Sequence, residues 1–143
     1  MKSLKHIKSR PLTNEEAELM KWFKEDFYWY NEVKALRALQ ERDAELIKRM
    51  GDLDGDIKKQ IDEAEEKITE LTRKITSRRK YKRELFAAMQ TDVRTVMEMR
   101  YLSYCTFEEI SENLEYSYQS VLRKHNKGII LLNIILGGKE KND

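Results

Sequence analysis

"TFEEISENLEYSYQSVLRKH", residues 106–125, is the stretch on which the reading of this chain turns. Thr106 followed three residues later by Glu109 has the form of a capping box, in which the hydroxyl accepts from the Glu109 amide while the carboxylate reaches back. A short helix is expected from there, with Phe107, Ile110 and Leu114 inward. It runs out at "LEYS", where Ser117 is placed to cap another helix that carries Val121 inward and Tyr118, Gln119, Leu122, Arg123 and Asn126 outward. Helix, tight turn and helix follow. Structural α-hairpins share this spacing with elements that enter a DNA groove.

The outward residues have the chemistry of a groove reader. An aromatic, an amide and a guanidinium can bond base edges or phosphates, while Lys124 and Lys127 can meet the sugar–phosphate backbone. Upstream, "TDVRTVMEMRYLSYC" sets Val93, Val96, Met97 and Tyr101 or Leu102 at helical spacing and reads as another short amphipathic helix. Downstream, "IILLNIIL" (residues 129–136) is too apolar all round for an exposed helix, so it must bury itself against residues 22–30 or across a dimer. It is also far shorter than the roughly 20 residues that span a bilayer. No membrane is expected among the partners.

The first half of the chain is long helix. Thr13 or Asn14 can cap a helix whose first turn is acidic, as the helix dipole favours. Leu19, Trp22, Phe23, Trp29, Val33, Leu36, Leu39, Leu46 and Ile47 continue it as a broad apolar stripe to about Met50, where "GDLDG" breaks it. A second helix from about Asp56 carries Ile57, Ile61, Ala64, Ile68, Leu71 and Ile75 in the alternating spacing of a coiled-coil seam. The register then sets Arg78 and Lys82 on that seam before Leu85 and Met89 restore it. An antiparallel hairpin on the order of 50 Å long is expected, at 1.5 Å rise per residue. Each helix would bury only one stripe, so a second copy or the C-terminal module should cover the remainder. The aromatics of "WFKEDFYWY" (residues 22–30) point to more than one face and read as packing or as a recognition surface for another protein.

Composition bounds the function classes. The chain has 143 residues, 38% of them charged, with one proline and one cysteine, so an internal disulfide is excluded and a cytoplasmic, all-α protein is expected. A net charge of +2 conceals strong unevenness. Residues 1–12 carry +4, residues 51–72 carry −5, and "RKITSRRKYKR" (residues 73–83) carries +7. A phosphate backbone would be drawn to Arg78, Arg79 and Lys80 in that last block, although a charge run on a long helix is more often a solvated face.

Two motifs carry little. Asp52, Asp54, Asp56 and Glu63 stand at calcium-loop positions, but Ile57 occupies the place where that loop needs glycine, and the aspartates read better as helix caps. His6 and His125 are the only histidines. No metal spacing, phosphate loop or activated nucleophile is visible, so no cofactor, metal or enzymatic activity is expected.

The segment "VMEMRYLSYCTFEEISENLEYSYQSVLRKHNKGI" resembles region 4 of sigma-70 family factors, and more closely the small phage regulators of the ArpU and RinA kind. The resemblance is carried by Met97, Met99, Arg100 and Tyr101, by Thr106, Glu109 and Ile110, by Leu114 and Ser117, and by Val121, Arg123 and His125, across residues 92–132. It implies a recognition helix from Ser117 to about Gly128, with Tyr118, Gln119, Leu122 and Arg123 facing bases and His125 on a phosphate or in the packing. Gly128 departs from the usual alanine, which suggests close helix packing at a cost of roughly 1 kcal/mol in helix stability, Lys124 departs from a position often apolar, and Glu108, Glu109, Glu112 and Glu115 would repel phosphate.

The expected organisation is a basic flexible tail (1–12), a helical hairpin of coiled-coil character (13–89), a sigma-70 region 4-like helix-turn-helix (90–136) and a flexible tail (137–143). The expected function is that of a sequence-specific, phage- or prophage-encoded transcriptional regulator that binds double-stranded DNA as a homodimer in the cytoplasm of a bacterial host cell. Two rivals stand beside it. The chain could bind and modulate a host protein, RNA polymerase or a nuclease, or serve as the DNA-recognition subunit of a phage packaging motor.

Overall fold

In the computed structural model, which describes residues 9–137, the protein is all-α: five helices and no strand among the described residues. They are α1 (Asn14–Met50), α2 (Asp56–Phe86), α3 (Thr91–Tyr101), α4 (Phe107–Leu114) and α5 (Tyr118–Ile135). No described helix is long and apolar enough to cross a membrane. Two compact units form. One takes residues up to Lys24 and from Arg79 onward, and the other spans Glu25–Arg78, so the division cuts both long helices rather than falling at residues 89 and 90 as the sequence suggested.

The Glu25–Arg78 unit is made of the distal parts of α1 and α2. Its buried centre is Val33, Ile68 and Leu71, with Trp29, Leu36 and Ile75 packed around it. The polar contacts fix the direction of the pairing. Glu25 meets Arg78 at 3.1 Å, Glu32 meets Lys67 at 2.7 Å, and Gln40 donates to the Ile61 carbonyl at 3.1 Å and to Glu65 at 2.9 Å, so the two segments run antiparallel. The turn between them is closed by chemistry the sequence announced. Gly51 and Gly55 both take φ of +74°, the left-handed region glycine enters without strain. Asp52 accepts from the amides of Ile57 at 3.1 Å and Lys58 at 2.8 Å, satisfying two orphan donors of the α2 first turn.

The other unit holds the larger core. Phe23, Phe86, Met89, Val93, Met97, Tyr101, Leu102 and Ile129 to Leu132 are buried together. A second cluster, Val96, Ile110 and Val121, ties α3, α4 and α5. The apolar run after Gly128 is therefore covered within the chain from Ile129 to Asn133, with Ile135 and Leu136 at its end exposed, and it does not begin a separate element. α5 passes through Gly128 unbroken, and a β-carbon there would lie 2.5 Å from the Met97 sulfur. Glycine lets α5 seat against the Met97 side chain of α3, where a larger residue would have to displace that side chain, at a helix-propensity cost of roughly 1 kcal/mol.

Arg10 and Leu12, assigned from sequence to the basic tail, are fixed in place. Thr13 caps α1 with a capping box of its own: its hydroxyl accepts from the Glu16 amide at 3.2 Å, and Glu16 accepts from the Thr13 amide at 2.9 Å. Arg10 grips the same carboxylate with two bonds of 2.7 and 2.8 Å and holds it below the usual carboxylate range. Leu12 packs against the core. The remaining tail residues, His6 with Lys2, Lys5 and Lys8 at one end and 138–143 at the other, lie outside the described residues.

Candidate nucleic-acid interface

Thr106 starts α4 with both halves of the box in place, its hydroxyl accepting from Glu109 at 3.1 Å and its amide donating to Glu109 at 3.0 Å. The backbone bond from Thr106 holds the Glu109 carboxyl below its ordinary range. α4 ends at Glu115, whose backbone enters the left-handed region at φ 57° and so turns the chain within three residues. A non-glycine residue pays roughly 1–2 kcal/mol for that conformation. Ser111 donates to the Tyr116 carbonyl at 2.6 Å across the turn and helps to offset it. Ser117 then caps α5 by accepting from Ser120 at 3.1 Å.

Beneath this turn lies a polar and aromatic network. Burial pushes the His125 imidazole down to about 4, so the ring is neutral near pH 7, and burial pushes the Tyr101 phenol upward. Tyr101 therefore donates to His125 Nε2, at 2.6 Å, and His125 Nδ1 donates to Asn126 Oδ1 at 3.1 Å. Asn126 in turn donates to the Arg10 carbonyl at 3.4 Å. Phe107 sits edge-on to His125 with centroids 4.9 Å apart, and the Arg100 guanidinium lies 4.2 Å from the Phe107 centroid while donating to the Cys105 carbonyl at 3.0 Å. The segment around Arg100 and Tyr101 thus builds the seat on which α5 rests.

The eleven residues singled out from sequence divide into three groups. Ser117, Tyr118, Gln119 and Arg123 are exposed and gather on the first turns of α5. Leu122, Lys124, Asn126 and Lys127 are half-buried; Lys124 meets Asp92 at 3.4 Å and lies 5.0 Å from the Tyr116 ring. Asn126 was expected to point outward, but its amide is drawn into the His125 network. His125 was expected on a phosphate or in the packing, and it is packed.

The basic block at residues 78–80, singled out as phosphate-binding or as a solvated face, is largely paired within the protein. Arg78 pairs with Glu25 and lies 4.8 Å from the Trp29 ring centroid. Arg79 donates to the Leu102 carbonyl and lies over Tyr104. Lys80 alone of the three is exposed. Sequence reasoning missed the destination of Lys82, which is fully buried and donates to the carbonyls of Phe23 at 2.7 Å and Tyr101 at 3.1 Å. The signal was its place on the apolar seam. A cation on a seam needs acceptors waiting for it.

Comparison with protein-family models, with curated proteins and with solved structures gave no match.

Proposed function

We propose that this protein is a sequence-specific regulator that binds double-stranded DNA through α5, in the manner of the small phage regulators its sequence resembles. One observation carries the reading. The first two turns of α5 present Ser117, Tyr118, Gln119 and Arg123 to solvent, while Val121, His125 and Gly128 on the same helix are held in the core. A rigidly seated helix with amide, guanidinium and phenol groups on its outer face has the donors and acceptors that base edges and phosphates require. The exposed carboxylates of Glu108, Glu112 and Glu115 on and beside α4 orient the contact, since they favour approach by α5 over approach by α4.

Selection of random duplex DNA by the purified protein tests the reading directly. An enriched site, with Arg123→Ala binding it about 1–3 kcal/mol more weakly and with relaxed preference, is the expected result. No enriched site would remove the DNA reading. The same acidic α4 face favours a second reading, a host protein such as RNA polymerase or a nuclease as the target, and salt separates the two: DNA binding weakens steeply as salt is added.

A further inference from the structure

The outer face of α1 in the Glu25–Arg78 unit carries an apolar stripe that stays exposed, the Tyr28 ring lying edge-on to its neighbour Phe27. Tyr28 is 65% exposed, Leu39 45%, Leu46 39% and Met50 77%, and Ala35 between them is exposed as well. At 3.6 residues per turn these positions fall on one line, about a quarter turn from the line through Trp29, Val33, Leu36 and Ile47 that faces α2. α1 therefore has two apolar stripes. α2 has only one, because the positions flanking its seam are Lys58, Asp62, Glu65, Thr69 and Thr72.

We infer that this stripe is the contact surface for a second copy of the chain, α1 against α1 in antiparallel orientation about a two-fold axis. Three features support that occupant. Two stretches of helix held together by three buried apolar residues are short of core, and covering a second stripe supplies what they lack. The only described apolar stripe that matches the outer face of α1 in this unit is that face itself, and the spacing Ala35, Leu39, Leu46, Met50 reads four, seven, four in either direction, as an isologous contact demands. Charge then selects the direction. An axis between residues 42 and 43, about which that spacing is symmetric, sets each Leu39 opposite Leu46 of the other copy and each Ala35 opposite Met50, and brings Arg42 of each within a turn of Glu45 of the other. A parallel pair would stack Arg42 on Arg42 and Arg49 on Arg49 along the seam.

This inference deepens the proposed regulator by giving it a dimer surface. It is tested without DNA, so a monomer that still enriches a DNA site would sink the inference and spare the function. The test uses full-length chains carrying Cys105→Ser and either Leu39→Cys or Leu46→Cys. Oxidation of the two chains mixed should give a covalent dimer, while each chain alone should give little. Leu39→Glu with Leu46→Glu should convert the dimer to monomer in sedimentation equilibrium with helical circular dichroism retained, both positions being exposed. Arg42→Glu or Glu45→Arg alone should weaken dimerisation several-fold, and the two together should restore it. A monomer at all concentrations, dominant self-cross-linking of the Leu39→Cys chain, or a dimer that survives both glutamates would each overturn the assignment.

Discussion

The two compact units are built from the same two long helices and are held by different means. The Glu25–Arg78 unit is zipped along one seam, and beyond Asp26, which is buried, its ion pair between Glu32 and Lys67 joins side chains that stay wet. The other unit closes a three-dimensional core in which charged and polar groups are taken out of water, with Lys82 on two carbonyls, Glu16 on Arg10, and His125 between Tyr101 and Asn126. Exposed ion pairs are nearly interchangeable with solvent, whereas a buried polar group costs heavily once a partner is lost. Beyond Asp26, the exposed pairs of the first unit should tolerate substitution and the buried polar groups of the second should not.

The sharpest way to break that contrast is Lys82→Ala. It leaves the Phe23 and Tyr101 carbonyls without their donor and opens a void beneath two aromatic rings, so a loss of about 3–5 kcal/mol is expected in denaturant unfolding. A loss below 1 kcal/mol would mean that the core does not depend on it.

Acid should come next. His125 is held near 4 in the folded protein and titrates near 6.5 when unfolded, so the unfolded chain binds the extra proton first as pH falls. Its contribution is full above pH 6.5 and is lost as pH drops from there to about 4, by roughly 3 kcal/mol in all. His125→Leu should flatten stability against pH over that window, and an unchanged slope would place the titration elsewhere.

Thr106→Ala removes one half of the α4 capping box and should cost about 1 kcal/mol, read as a shift in unfolding midpoint. At the bottom of the scale, Lys67→Ala in the zipped unit should leave the midpoint where it was. A clear shift there would show that the exposed pairs of this unit are not interchangeable with water.

Apolar periodicity and caps were legible in the sequence because both are local: the Ile57-to-Ile75 seam, the Gly51 and Gly55 turn, the box at Thr106 and the cap at Ser117 all fall where the spacing put them. Polar destinations were not. Arg79, Lys82 and Asn126 have side chains suited equally to a phosphate, a base or a carbonyl, and only the folded chain decides which acceptor lies within reach. Gly128 was legible as a point of close helix packing, and α3 and α5 do approach there; only the end of the recognition helix, placed at about Gly128, fell short, since α5 continues to Ile135. Of the candidate interface, the exposed set Ser117, Tyr118, Gln119 and Arg123 was readable from helical spacing, and the half-buried remainder was not.

The continuity of α5 has a mechanical consequence. Ile129 to Leu132 are clamped in the core, while the first turns expose the face of Tyr118, Gln119 and Arg123 and rest on Val96 and Ile110 through Val121, so the helix has a deeply fixed root and a working end held from one side. Deflection of the working end is limited by the root, and the Tyr101–His125 bond lies where the two meet. Whatever α5 touches is met by a stiff beam whose aim is set by core packing, so amides near the root should exchange with solvent far more slowly than those at its tip.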